Sequence, residues 1–436
     1  MSINKRYIKR GREIIPGLTQ LLSKRPDQFS PETWPTYFSK ASGTTIWDMD
    51  GNKYLDMSIS GIGANVLGYC DPDVDKAVIS SIKNGNSSSL NCPEEVDLAE
   101  YLCQIHPWAQ KVRFSRTGGE SMAIAVRIAR AATNRDKIIF CGYHGWHDWY
   151  LAANLSSDSS LEGHLLPGLN PAGVPKGLYG TSIPFEFNNI DQLKEIFLKN
   201  KGEIAAVVME PMRSIMPLPG FLEEIRKITK LEGSALVFDE ISSGFRSVPG
   251  GLHLLHKVIP DIAVFGKAMS NGYPMGAIIG IDSIMDACQK TFISSTYWTD
   301  RIGPTAAIAT IDKFITNNVH KKLQETGKKM QSIWLEAATN SGVEINVKGM
   351  YPMSYFSFEG DENQEKMTFF IQQMIKKGIL ASNRFYANYY HNDSHLEVYR
   401  KSALEIFTQI SSFSNNKEIG KEIIGKPMNP GFHRFN

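Results

Sequence analysis

"DIAVFGKAMSNGYPMGA", residues 261–277, sets four apolar residues in a row, Ile262–Phe265, and then breaks into Gly266 and Lys267. An uninterrupted apolar run of this length, bounded by small and turn-forming residues, reads as a strand covered on both faces. Similar runs occur at Lys137–Cys141, 204–210, Ala235–Asp239 and 277–281. Helical periodicity occupies 119–133, 191–199 and 221–231 between them. Strand and helix in alternation predict an α/β unit with a large, mostly parallel sheet. Ligands of such sheets gather beyond the carboxyl ends of the strands. The residues just after each run are therefore the candidates for chemistry.

The flanks differ in pattern. "TTIWDMDGNKYLDMS", 44–58, reads as a hairpin turning at Asp50-Gly51. Beyond about residue 315, long helical patterns surround "NVKGMYPMSYFSFEG", 346–360, which reads as antiparallel strands. The expected division is an N-terminal segment, 1–60, contributing to a small domain, a large α/β domain over 61–314, and a small α+β domain over 315–436.

Composition narrows the function classes. The 436 residues carry a formal net charge of +2, which gives no global field for nucleic acid or acidic lipid. No apolar run approaches the roughly 18 residues that span a bilayer. The basic N-terminus lacks the apolar core of a signal peptide. Five scattered cysteines, Cys70, Cys92, Cys103, Cys141 and Cys288, form no CxxC pair. They read as reduced thiols, and the expected location is the cytoplasm.

Four constellations follow strand ends or open a helix. Lys267 could be a lysine whose stem lies along apolar surface, or an amine in a dry pocket that attacks a carbonyl. Asp239, after Val237-Phe238, could be a loop carboxylate or a buried anion that keeps a heteroaromatic nitrogen protonated. Thr117, Gly118 and Gly119 open a helix where backbone N–H groups can face a phosphate. "GYHGWHDWY", 142–150, offers Tyr143 to stack on a flat ring. His144, His147 and Asp148 have a spacing that permits a metal, but nothing supplies a further ligand, and no metal is expected. Together the four match pyridoxal 5'-phosphate: an amine for its aldehyde, an anion for its ring nitrogen, a cradle for its phosphate and an aromatic face for its ring.

The ordered motifs "TGGES", "YHG", "MEP", "FDEISSGFR" and "GKAMSNGYPMGA" resemble the class III, fold-type I pyridoxal-phosphate aminotransferases, in particular the glutamate-1-semialdehyde 2,1-aminomutase-like subgroup. The resemblance runs over nearly the whole chain. It implies the fold-type I architecture, a seven-stranded sheet domain beside a smaller α+β domain built from both termini, and a homodimer with a shared active site. By resemblance Lys267 corresponds to the Schiff-base lysine and Asp239 to the partner of the pyridine nitrogen. Ile241 corresponds to the aliphatic residue on the ring, and Tyr143, with His144 and Gly145, to the stacking turn. Thr117, Gly118 and Gly119 match the phosphate loop. Glu210 matches the strand-end Glu-Pro, and Thr296 the threonine that reaches the neighbouring subunit's phosphate.

The departures lie on the substrate side. "PGLTQLLSKRPDQF" replaces the segment expected to carry a substrate-gripping arginine, leaving Arg25 as a loose candidate. Tyr386 stands where the subgroup has a late glutamate. "EPMRSIMPLPGF" adds Arg213, a group suited to a carboxylate or phosphate, with Arg246 and Arg384 as lesser candidates. The expected activity is ping-pong transfer of an amino group between a small-molecule donor and a small ketone or aldehyde. The alternatives are glutamate-1-semialdehyde aminomutase activity and a non-catalytic α/β binding protein.

Overall fold

A computed structural model describes residues 2–157, 159–164, 168–212, 214–360, 363–413 and 416–429. The chain forms two compact units, one of Met1–Asp71 with Lys321–Asn436, the other of Pro72–His320.

In the first unit, strands β1 (Phe38–Ser42), β2 (Thr45–Asp48) and β3 (Lys53–Asp56) pair antiparallel, and the β2–β3 hairpin turns at Asp50-Gly51 as expected. In the second unit, seven strands make one sheet: β4 (Lys111–Ser115), β5 (Lys137–Cys141), β6 (Ser182–Pro184), β7 (Ile204–Met209), β8 (Ala235–Asp239), β9 (Ile262–Phe265) and β10 (Gly276–Gly280). Their order is β4-β10-β9-β8-β7-β5-β6. The pairs from β6 to β9 are parallel, and β10 runs antiparallel to both β9 and β4. The chain then returns to the first unit. There β11 (Ile345–Lys348) and β12 (Met353–Phe358) pair antiparallel, β13 (Ile379–Leu380) joins β3, and β14 (Arg384–Tyr386) joins β12.

Alternate residues of the central strands enter two cores. Ile138, Phe140, Ala206, Val208 and Val237 pack with the helix Gly118–Thr133. Ile139, Cys141, Val207, Met209, Leu236 and Phe238 pack with the helices Ile190–Lys199 and Phe221–Glu232. Burial on both faces is why these strands read as continuous apolar runs. The five runs fall on β5, β7, β8, β9 and β10, within a residue of the expected bounds. Strands β4 and β6 have no such signal. They are the sheet's two edges, one interrupted by Lys111 and Arg113, the other three residues long and closed by Pro184.

His106 is fully buried in the second unit. Its Nδ1 lies 2.9 Å from the Leu102 carbonyl, and its Nε2 accepts the Gly251 N–H at 3.0 Å. Burial pushes its pKa from 6.5 down to about 4. The folded state therefore favours the neutral ring, and that contribution to stability is full above pH 6.5 and lost as pH falls toward about 4. His106→Gln is expected to lose less stability than the parent between pH 7 and pH 4.5, measured by urea midpoints. Equal losses would show that His106 contributes nothing to the acid response.

Candidate active site at the ends of β8 and β9

Lys267 follows β9 by one glycine and opens the short turn Lys267–Ser270. Its φ is +40°, a left-handed conformation that a non-glycine residue holds only where surrounding structure fixes it. The Met269 N–H closes the turn onto the Gly266 carbonyl at 3.0 Å. The side chain is partly buried, and Nζ donates to Ser242 Oγ at 2.7 Å.

Asp239 ends β8, directly beside β9, where it pairs with Val264. The carboxylate is 4% exposed, so it must be satisfied internally. Oδ2 lies 2.8 Å from His144 Nδ1, and Oδ1 accepts the Ile241 N–H at 3.0 Å. His144, itself buried, is pinned on its other side by Nε2 at 3.0 Å from the Cys141 carbonyl. Each carboxylate oxygen has two lone-pair sites, so capacity for a further N–H donor remains. Glu240 turns to different partners: its Oε1 accepts the His253 backbone N–H at 2.8 Å and lies 2.9 Å from His253 Nδ1. Burial alone would raise the Glu240 pKa, but the bonds from His253 and Ser243 outweigh it and hold the carboxyl below its ordinary value.

The helix Gly118–Thr133 starts at Thr117, whose N–H bonds Glu120 Oε2 at 3.1 Å. Its first turn is packed to glycine tolerance. A Cβ on Gly118 would stand 3.1 Å from Ile241 Cδ1, and one on Gly119 3.1 Å from His147 Nδ1. Gly145, at φ +101°, passes so close that a Cβ there would lie 2.7 Å from Gly119 Cα. Ile241 also faces Gly266, where a Cβ would meet it at 3.5 Å. Thus Gly118, Ile241 and Gly266 adjoin one another next to Lys267. Tyr143 is half-buried, its ring 6.0 Å from that of Tyr150. Glu210 is buried beside Gly142, where a Cβ would stand 3.0 Å from its Oε2. Arg116 pairs with Asp300 and donates to the Trp298 carbonyl at 2.8 Å. That fastens the turn Thr296–Thr299 to the helix start and leaves Thr296 exposed. An amine, a satisfied carboxylate with spare acceptor capacity, an apolar patch and a glycine helix start fit pyridoxal phosphate.

The substrate-side candidates are placed as follows. Arg213 lies outside the described residues. Arg25 and Tyr386 belong to the other unit: Arg25 is buried and pairs with Asp27 at 2.8 Å, and the Tyr386 hydroxyl lies 2.8 Å from that of Tyr355. Arg384 is in β14 of that unit. Arg246 is fully buried and gives its Nε–H to the Ser242 carbonyl at 2.5 Å. A cavity of about 730 Å³ lies along the helix Gly118–Thr133 beside Trp146, Trp149 and Phe292, and neither Lys267 nor Asp239 lines it. Sequence reading missed Ser242 and Arg116. Ser242 lies inside a quoted motif and Arg116 directly precedes another, but only their contacts single them out.

A sequence model of the family described as class-III aminotransferases matches residues 29–396. The chain is 32% identical over 412 residues to the 3-aminobutyryl-CoA aminotransferase of Cloacimonas acidaminovorans, covering 91% of this chain and 95% of that one. It is also 32% identical over 391 residues to a glutamate-1-semialdehyde 2,1-aminomutase of Francisella tularensis, covering 84% and 89%. Among solved structures, the FumI protein of Sphingopyxis sp. MTA144, solved with PLP, has the same fold, with TM-score 0.85 and 22% identity over 95% of this chain and 99% of that one.

Gly145→Ala would strain a left-handed residue and push it against Gly119. A cost of about 1–3 kcal/mol for such strain corresponds to roughly five- to 150-fold weaker cofactor binding. Titration of the cofactor-free protein with pyridoxal phosphate checks this, and parent-like affinity would remove the Gly119–Gly145 contact from the cradle.

Proposed function

We propose that this chain, which belongs to the class-III, pyridoxal-phosphate-dependent aminotransferases, moves an amino group by ping-pong transfer between a small amine donor and a small ketone or aldehyde. One observation carries the residue assignment: Asp239 and Lys267 stand at the ends of neighbouring strands, joined through one loop whose Ser242 touches Lys267 Nζ.

When bound, pyridoxal phosphate supplies an aldehyde for amines and a ring that withdraws electrons. Lys267 Nζ is the amine that would hold the aldehyde and, once free, would take the proton from the substrate's Cα and deliver it to the cofactor's C4′, leaving the amino group on the cofactor. Asp239 keeps a ring N–H in place through its spare lone pairs, and His144 and the Ile241 N–H fix its orientation. Ile241 and Tyr143 flank the ring. Thr117, Gly118 and Gly119 hold the phosphate at the helix start, with Glu210 behind the tyrosine loop. On the substrate side Arg213 is the leading candidate for a carboxylate or phosphate, followed by Tyr386 and Arg25.

Thr296, exposed on a turn fastened by Arg116, reaches the phosphate of a second copy, so the working unit is a homodimer with shared sites. The five cysteines are unbridged, which supports a cytoplasmic location. Among the described residues no helix is long and apolar enough to cross a membrane.

Aminomutase activity is the second reading, favoured by the mutase relative at 32% identity. Transfer between two molecules is preferred because the rewritten segments are those that would retain a substrate. Incubating the aminated enzyme with glutamate-1-semialdehyde alone separates the two readings. Aminolevulinate formed without a second keto acid would establish the mutase.

Lys267→Ala is expected to abolish turnover, and Asp239→Asn to lower kcat by several orders of magnitude, in a screen of amino donors that follows bleaching of the cofactor band. A near-normal rate in either variant overturns the assignment of that residue.

A further inference from the structure

The end of β8 and the loop after it place four consecutive side chains. Asp239 meets His144, and Glu240 meets His253 and Ser243. Ile241 lies against Gly118 and Gly266, and Ser242 meets Lys267 Nζ at 2.7 Å. The backbone between them is held at almost every residue. The Glu240 N–H bonds the Val264 carbonyl at 2.8 Å, and the Gly244 N–H returns to the Glu240 carbonyl at 2.8 Å. The Ser242 carbonyl accepts from the fully buried Arg246 at 2.5 Å. Phe245, at φ +54°, donates its N–H to the Gly250 carbonyl at 2.8 Å. Nothing about the loop's own folding requires the Ser242 hydroxyl to point at Lys267. The loop is already closed by its main chain and by Glu240.

The Lys267 backbone is equally fixed, by its left-handed φ and by the turn closed at Gly266. Between a fixed acceptor and a fixed Cα lies the four-carbon stem of the lysine. That stem carries large rotamer freedom. The 2.7 Å hydrogen bond from its tip to Ser242 favours one arrangement.

We propose that Ser242 is a positioning residue for Lys267: its hydroxyl holds the lysine nitrogen at the end of β9 whenever that nitrogen is not bonded to the cofactor. The inference rests on the reading of Lys267 as the reactive amine. A hydroxyl suits the task because it is neutral and two-sided. It accepts an N–H hydrogen bond from an ammonium, and it donates its own O–H to the lone pair of a free amine. A carboxylate in its place would favour the ammonium, which can neither attack a carbonyl nor take a proton. Serine thus steadies both forms without trapping one.

The test uses the full-length protein, stripped of cofactor and then mixed with pyridoxal phosphate, following the absorbance near roughly 410–430 nm that a lysine-bound cofactor gives. Ser242→Ala is expected to slow growth of the band roughly tenfold, the scale of one hydrogen bond to a charged or reactive group. It should lower kcat by a similar factor and leave KM unchanged. Ser242→Thr, which restores the hydroxyl, should recover both rates. A merely structural role would instead lower the melting temperature and leave the kcat-to-KM pattern without rescue by threonine. If the alanine variant fails to fold, Ser242→Cys, of similar shape and weaker hydrogen bonding, carries the same measurement. A parent protein that forms no band, or a Lys267→Ala control that forms one, overturns the reading of Lys267. A parent that forms the band together with a Ser242→Ala variant that matches its rate overturns the role of Ser242 alone.

Discussion

A carboxylate at the end of a strand buried on both faces is the constraint from which the site follows. Removed from water, Asp239 would be costly unless donors met it. Two do: the ring of His144, from the loop after β5, and the N–H of Ile241, two residues along its own chain. Each donor has a structural price that the sheet absorbs elsewhere. His144 sits between Gly142 and Gly145, both at positive φ, and the Ile241 bond folds the chain back onto the Asp239 side chain at the end of β8. Those turns in turn seat Gly145 on the helix start and Ile241 against Gly118 and Gly266. The satisfaction of one buried charge therefore fixes the relative placement of Ile241, the helix start at Gly118-Gly119 and Lys267.

The neighbouring carboxylate shows how specific this is. Glu240 is more deeply buried than Asp239, yet His253 and Ser243 meet its oxygens, and bonding outweighs burial to keep it ionised. Its partner His253 is fixed in turn, with Nε2 accepting from the Trp108 indole N–H at 3.0 Å. One carboxylate is committed to holding the loop, and the other keeps acceptor capacity in reserve. Two adjacent acids serve different ends because successive side chains at a strand end point to opposite faces of the sheet.

Much of this was legible in the sequence, and the physical reason is burial. Strands covered on both faces must be apolar throughout, so β5, β7, β8, β9 and β10 announced themselves, while the edge strands β4 and β6 did not. Lys267 and Asp239 were legible for the converse reason, since each is a charge directly after such a run. Gly118 and Gly119 showed as glycines at a helix start. Ser242 and Arg116 were hidden. In a loop there is no period of 2 or 3.6 to tell which way a side chain faces, and a serine or an arginine there is unremarkable until its partner is known.

The same asymmetry explains why the cofactor side is clearer than the substrate side. A cofactor imposes the same demands on every relative: one amine, one anion, one cradle. Those demands fall on strand ends and a helix start, where backbone geometry allows few solutions. The substrate-side candidates were drawn from loops and strand ends by residue type alone, and they carry no such demand. Arg25 illustrates the consequence. It suited a carboxylate by type, but in the folded chain its guanidinium is buried against Asp27. A charged residue on a loop declares a preference for an opposite charge, and the sequence does not say whether that charge belongs to a substrate or to a neighbour two residues away.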